Sequence, residues 1–286
     1  MSGVLDPEVD AALKAEGWRW SGWECLSRFV SPALDRVTYR VDLDGAGPAA
    51  TVKARRMPGE QAARVQAEIR RPLPEAFVAV LARHGRVLLE EWVDGEVLGA
   101  APDAARLREA AGLLAELHLR TTLDGRSMLG RESTAAQRGA TLQALRAIHR
   151  AGLLQHGQAS ALVRALRRTD PGACVYGMIH SDFCGVNMVV DRSGRLRVVD
   201  NERLGRDALG YDLGRSWYRW ELAPASWRAF LDAYAAALAA REPPEPFRFW
   251  QIVAAVRAVE IRLRHTPDQL AAPLACLRGL MEEIAA

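Results

Sequence analysis

Lysine is almost absent from this chain. Of its 38 basic residues only Lys14 and Lys53 are lysines, so a lysine placed inside a strand asks for a reason. Asparagine is equally scarce, with Asn187 and Asn201 alone. The four cysteines (Cys25, Cys174, Cys184, Cys276) contain no C-x-x-C pair. They read as reduced thiols in a cytoplasmic protein, not as a disulfide frame or a zinc site. No block of basic residues stands out and the net charge is only +3, so nucleic-acid binding is not indicated. The longest run of small apolar residues, 233–240, is far too short to span a bilayer. The opening MSGVLDPEVD lacks the basic and apolar regions of a signal peptide, so neither a leader nor membrane insertion is expected.

What is present is a globular composition. Apolar residues make up 49% and charged residues 26% of 286 positions, enough for one large domain or two lobes. Asp6 and Pro7 suit the start of a helix running to Gly17. Strands are expected at 23–30, 38–43 and 50–54, separated by turns at 31–35 and 45–48. A helix over 59–71 must stop near Pro72, and a strand at 87–93 ends at Asp94-Gly95. Beyond that point helical spacing dominates, at 104–120, 135–151, 159–168, 211–220, 225–240, 246–264 and 270–285. The expected class is therefore α+β, with a small sheet-rich lobe over 1–94 and a larger helical lobe over 95–286. Lobes of this kind commonly hold a ligand in a cleft.

The segment GMIHSDFCGVNMVVDRSGRLRVVD, residues 177–200, carries most of the chemistry. An apolar strand leads to His180 and Asp182. A hairpin follows, with strands at 188–191 and 196–199 and Gly194 supplying the positive φ of the turn. A hairpin brings its ends together, so Asn187 should lie near Asp200. An amide oxygen beside a carboxylate is a hard-oxygen site suited to Mg²⁺, and Asp182 sits five residues upstream, placed to act as a base. A base next to a magnesium pair is the apparatus for moving a phosphoryl group onto a hydroxyl. With two asparagines and six histidines, the spacing H-x-D-x-x-x-x-N would arise by chance in roughly one in several hundred such chains. The competing reading is an ordinary hairpin with polar ends.

Lys53, on the strand at 50–54, could neutralise the α- and β-phosphates of a nucleotide. Its expected anchor is Glu68, which shares a helix face with Val65 and Ile69, whereas Glu60 belongs to the first turn. The alternative is a surface lysine and an exposed acid. The carbonyl of Glu91 and the N–H of Val93 are the natural edge partners for an adenine ring. His180 is read as a brace for the loop rather than a catalyst, and Asp212 as a cap or brace beside it. Trp217, Tyr218 and Trp220 follow on the next helix, as pocket aromatics or as packing. Glu202, Asp207 and Glu221 could line the acceptor pocket, or form a solvated face.

Together these residues resemble the aminoglycoside phosphotransferase and choline kinase-like family, a branch of the protein kinase-like fold. The resemblance runs from about Trp23 to about Trp220. It is strongest at HSDFCGVN (180–187), VVDNE (198–202) and YDLG (211–214), and weaker at TVKAR (51–55) and LLEEWVDGEVL (88–98). It implies a bilobal fold with a nucleotide-binding first lobe and an acceptor-binding second lobe. Asp182 would orient the acceptor hydroxyl, Asn187 and Asp200 would hold Mg²⁺, and Lys53 with Glu68 would position the phosphates of ATP or GTP. His180 and Asp212 would support the loops. Ser181 stands where the family usually has glycine, Asn201 where it usually has an aromatic residue, and the loop at 31–36 has no glycine. No H-R-D, D-F-G or A-P-E set is present, which favours the small-molecule branch over protein kinases. The implied activity is phosphoryl transfer to a hydroxyl of an aminoglycoside-, amino-alcohol- or sugar-like molecule, with no oligomeric state specified. A pseudokinase-type binding module and a kinase of a protein or cell-envelope component are the alternatives. Residues 94–286 hold 25 basic against 22 acidic side chains, which argues against a strongly acidic pocket for a polycation.

Overall fold

The computed structural model describes residues 4–29, 35–45, 47–119, 122–123, 126–127, 130–238 and 247–285. Residues 31–34 of the expected turn, Ala46 of the next, and the last two residues of the expected 225–240 helix fall outside them.

Helix α1 (Pro7–Ala15) starts as its sequence requires, with Pro7 in the first turn and Asp6 Oδ1 accepting from the Glu8 N–H at 3.0 Å. Strands β1 (Trp20–Phe29), β2 (Arg36–Leu43) and β3 (Thr51–Arg56) follow, then α2 (Glu60–Arg70), β4 (Val80–His84), β5 (Val87–Glu91) and β6 (Gly95–Val97). After α3 (Ala104–Leu119) come the short strands β7 (Thr122–Leu123), β8 (Arg126–Ser127) and β9 (Gly130–Ser133). Helices α4 (Ala135–Arg150) and α5 (His156–Arg168) precede β10 (Ala173–Ile179), β11 (Met188–Asp191), β12 (Leu196–Val198) and β13 (Gly205–Ala208). The chain ends on α6 (Leu209–Trp220), α7 (Pro224–Ala237), α8 (Phe247–His265) and α9 (Ala271–Ala285). A sheet-rich N-terminal region and a helical C-terminal region are thus both present, as expected. Strands β4, β6, β9 and β13 escape the sequence pattern because they are short and largely lack a buried face. Among the described residues no helix is long and apolar enough to cross a membrane.

The chain packs into two compact units, and the division does not follow a single cut at residue 94. Residues Met1–Leu98 join Asn187–Leu204, and Gly99–Val186 join Gly205–Ala286. The reason is β6, which pairs with β11 through Val97 and Val189, Glu96 and Val190, Gly95 and Asp191. Gly95 is required there, because a Cβ would stand 2.1 Å from the Val190 carbonyl oxygen.

The first unit is built on an antiparallel sheet of order β1-β2-β3-β5-β4. Leu5, Val9 and Leu13 from the α1 region bury against Val37, Tyr39 and Val41 of β2 and Val52 and Ala54 of β3. Strand alternation then turns Lys53 and Arg55 to the opposite face. The second sheet, β12-β11-β6, is held at its far edge by residues 76–78. The Val198 N–H donates to Ala76 O at 2.7 Å, and the Val78 N–H donates to Val198 O at 3.1 Å.

The second unit is built around α8, in which Phe249, Trp250, Ile252, Val253, Ala255, Val256 and Val259 all sit in one buried cluster. Helix α6 approaches it closely at two glycines. A Cβ on Gly210 would meet the Trp250 indole at 2.1 Å, and one on Gly214 would meet the Trp250 carbonyl oxygen at 2.5 Å. The second contact is with backbone, which cannot swing aside. Gly214→Ala is accordingly expected to destabilise the protein by about 1–3 kcal/mol, the range for forcing one extra carbon into a packed site, seen as a lower midpoint in denaturant unfolding. A wild-type midpoint would show that α6 can slide on α8.

Candidate active site

The hairpin closes as its sequence suggests. Strands β11 and β12 pair Met188 with Val198, Val189 with Arg197 and Val190 with Leu196. The turn is fixed by Asp191, whose Oδ1 accepts from Ser193 N–H and Arg195 N–H at 2.8 and 3.0 Å, with Gly194 at φ 82°. At the open end the Val199 N–H donates to the Asn187 carbonyl at 3.0 Å. Asn187 and Asp200 therefore flank the same rung of the ladder.

Lys53 reaches this end of the hairpin. Its Nζ donates to Val199 O at 3.3 Å and lies 3.8 Å from Asp200 Oδ1 and 4.0 Å from Glu90 Oε2. The acid opposite the lysine is thus Glu90 of β5, its direct cross-strand partner, and not Glu68. Among the described residues no ion pair or hydrogen bond joins Lys53 to Glu68. The face of α2 that turns inward carries Ala63, Gln66, Ile69 and Arg70, while Val65 is 37% exposed. Gln66 Nε2 donates to Leu204 O at 3.3 Å, and Arg70 pairs with Glu90. Polar residues on the buried face are what the apolar pattern of α2 hides.

Arg55 completes this cluster. Buried beside Lys53, it donates through Nη2 to Asp200 Oδ1 at 3.0 Å, approaches Glu90 at 3.7 Å and pairs with Glu202. Burial pushes the Lys53 ammonium below its ordinary pKa, helped by the charge of Arg55 and opposed by Glu90 and Asp200. Burial alone would raise Glu90, but the charges of Arg55, Arg70 and Lys53 outweigh it and hold that carboxyl below the usual range. Glu202 is taken up by Arg36 and Arg55. Glu91 closes β5 with its carboxylate on Arg197 at 2.7 Å, and Trp92 and Val93 follow outside the strand.

In the second unit, one face of α6 clamps the loop after β10. Asp212 Oδ2 accepts from the His180 N–H and Oδ1 from the Ser181 N–H, each at 2.7 Å. His118 Nε2 lies 3.0 Å from Asp212 Oδ2, and its Nδ1 lies 2.7 Å from the Tyr234 hydroxyl. Burial raises the Asp212 carboxyl, yet the hydrogen bond and charge of His118, with His180, leave it below its ordinary pKa. His180 is fully buried, edge-on to Phe183 at 5.7 Å, and its Nδ1 accepts from the Asp182 N–H at 3.3 Å. Arg215 Nε donates to Ser181 O at 3.1 Å. Asp182 Oδ1 accepts from Arg219 Nε at 2.7 Å, with Arg215 Nη2 at 3.6 Å.

Ser181 holds φ 65°, a region that a residue with a Cβ adopts at a cost of order 1 kcal/mol. Ser181→Gly is expected to raise stability by up to about 1 kcal/mol with the loop unchanged, measured as a shift of the thermal midpoint. A fall would show that the serine hydroxyl holds the turn.

The remaining sequence candidates are placed elsewhere. Trp220 is buried against Phe183 and Phe230, its indole N–H donating to Gly99 O at 3.0 Å. Trp217 packs on the α8 cluster, and Glu221 is exposed in the left-handed cap of α6. Asp207 accepts from Gln137 at 2.5 Å and from the Ala208 N–H at 2.7 Å, at the start of α6.

A model described as the phosphotransferase enzyme family matches residues 33–250, well over half the chain. The chain belongs to this family. No curated protein matches the chain by sequence. Among solved structures, this phosphotransferase is similar to the macrolide 2′-phosphotransferase of Brachybacterium faecium, at 15% identity, with 96% of this chain and 98% of that one covered and a TM-score of 0.67. It is similar to choline kinase of Streptococcus pneumoniae, at 12% identity, 93% and 94% coverage and a TM-score of 0.64. A spectinomycin phosphotransferase, solved with ADP and spectinomycin, matches at 9% identity, 97% coverage of both chains and a TM-score of 0.62. The fold is therefore protein kinase-like, and the family makes the protein a phosphotransferase.

Sequence reading of this phosphotransferase missed Glu90, Arg55, His118, Arg215 and Arg219. Two signals were available: Arg55 lies two residues from Lys53 on one strand face, and Arg215 and Arg219 lie three and seven residues after Asp212 on one helix face. Nothing in the sequence marks His118.

Proposed function

We propose that the protein transfers the γ-phosphoryl group of ATP or GTP to a hydroxyl of a small molecule, with Asp182 as the base and Mg²⁺ held by Asn187 and Asp200. One observation supports this most directly. The Val199 N–H donates to the backbone carbonyl of Asn187 at 3.0 Å, so Asn187 and Asp200 stand at one hairpin end, and Lys53 Nζ lies 3.8 Å from Asp200 Oδ1. Two hard oxygens fit Mg²⁺, and Asp200 already attracts the cations Lys53 and Arg55. When bound, the metal would neutralise charge on the phosphates.

The chain's own residues do the rest. Lys53, fixed between Glu90 and Asp200, offers an ammonium to the α- and β-phosphates. The carbonyl of Glu91 and the N–H of Val93 are the edge partners for the base. Asp182 accepts the proton of the acceptor hydroxyl, while Asp212 and His180 fix the loop that carries it. Nucleotide binding is assigned to the first unit, in the main residues 1–94, and the base and acceptor recognition to the second, within 95–286. The four free thiols agree with a cytoplasmic setting. A coupled ADP- or GDP-release assay, run with Mg²⁺ and with chelator over a panel of hydroxyl acceptors, tests the proposal. Acceptor-stimulated release that vanishes with chelator supports it, and release indifferent to metal or acceptor refutes it.

A further inference from the structure

Two arginines converge on Asp182. Arg219 Nε is 2.7 Å and Arg215 Nη2 3.6 Å from the same carboxylate oxygen. The nearest acid on the same helix face, Asp212, is committed to His118 and to the amides of His180 and Ser181. Arg215 is almost buried and is also tied to Ser181 O. Arg219 is one-third exposed, and among the described residues it makes no hydrogen bond beyond the one to Asp182. Tyr218 sits over Arg215 at 5.8 Å. Burial raises its pKa, and the charges of Arg215, Arg262 and Arg219 act against that rise. Two guanidiniums thus meet one carboxylate.

We infer that the acceptor carries an anionic group, a carboxylate or a phosphate, close to the hydroxyl it presents, and that Arg219 binds it with Arg215 in support. The inference rests on reading Asp182 as the base. A hydroxyl that gives its proton to Asp182 must come within about 3 Å of that carboxylate. Groups on the neighbouring carbon then fall within reach of the Arg219 guanidinium, whose planar fork matches carboxylate and phosphate oxygens. An ammonium at the same place would face two like charges. In the step itself the bond from the γ-phosphorus to the bridging oxygen breaks as the acceptor oxygen bonds to phosphorus. The nucleoside diphosphate leaves with the bonding pair, and the hydroxyl proton passes to Asp182.

Nucleoside-diphosphate release is measured over four matched groups of acceptors: hydroxy carboxylates such as gluconate, sugar phosphates such as glucose 6-phosphate, neutral polyols such as sorbitol, and amino sugars such as glucosamine. Turnover concentrated in the first or second group supports the inference and tells carboxylate from phosphate. Turnover confined to neutral or amino acceptors, or absent from both anionic groups, overturns it. The Arg219→Gln variant should lower the ratio of kcat/KM for the anionic acceptor to that for its neutral match by roughly 10- to 100-fold, as for losing a charged hydrogen bond, with Arg219→Lys recovering part of it. A ratio that does not move means Arg219 only steadies the loop, and overturns the inference. The parent reading fails separately, if Asp182→Ala retains wild-type turnover on whichever acceptor is used.

Discussion

Asp182→Ala is expected to lower kcat by roughly 10²–10⁴-fold, the span for losing a positioned general base, while the Kd for nucleotide changes little. The separation follows from where the groups sit. The lysine and hard oxygens assigned to the nucleotide all belong to the unit formed by Met1–Leu98 and Asn187–Leu204, whereas Asp182 belongs to the other. Alanine also strips Arg215 and Arg219 of a shared counter-ion, so Asp182→Asn serves as a second variant that keeps the shape and loses the basicity. Single-turnover kinetics with both variants, beside a nucleotide titration, decide the matter. Equal loss in both, with binding intact, identifies proton acceptance as the missing step. Wild-type turnover in either removes Asp182 from that role.

Asp200→Ala should act on the other side of the reaction. Wild-type protein is expected to bind nucleotide more tightly with Mg²⁺ than with chelator, and the variant to lose that difference. The metal's charge is worth several kcal/mol at the phosphates, so kcat should fall at least about 100-fold. The variant should still fold. Arg55 keeps Glu202 and lies near Glu90 after Asp200 is gone, so no buried guanidinium is left without an acid. Calorimetric titration with and without Mg²⁺ gives the result directly. If the variant keeps the full metal-dependent gain in affinity, Asp200 does not hold the ion.

Much of this is legible in the sequence alone. The hairpin announced itself through alternation and through Gly194, and with it the meeting of Asn187 and Asp200. The acid beside Lys53 was misplaced for a definite reason. Helical periodicity assumes that the inward face is apolar, yet α2 buries Gln66 and Arg70, so its phase cannot be read from Val65 and Ile69. Glu90 is found only from the register of β3 on β5, which no single strand reveals. The edge strands β4 and β6 were invisible because neither buries a side chain. The arginines beside Asp182 were hidden by abundance, since in a chain with 36 of them no single arginine stands out.

The pairing of β6 with β11 also bears on how the chain is made. Val97 finds its partner in Val189, and residues 76–78 wait for Val198. A nascent chain that has emerged only to Leu98 therefore holds an unfinished domain, with its sheet edges still open. The usual order, in which the N-terminal domain folds first as it leaves the ribosome, is not open to it. The first unit can seal only once residue 204 has been delivered, after about half of the second has been synthesised. For the same reason a fragment cut at residue 98 is not a self-contained domain. A permuted chain that joins the 187–204 hairpin directly to the N-terminal sheet would be the shortest self-contained form of that unit.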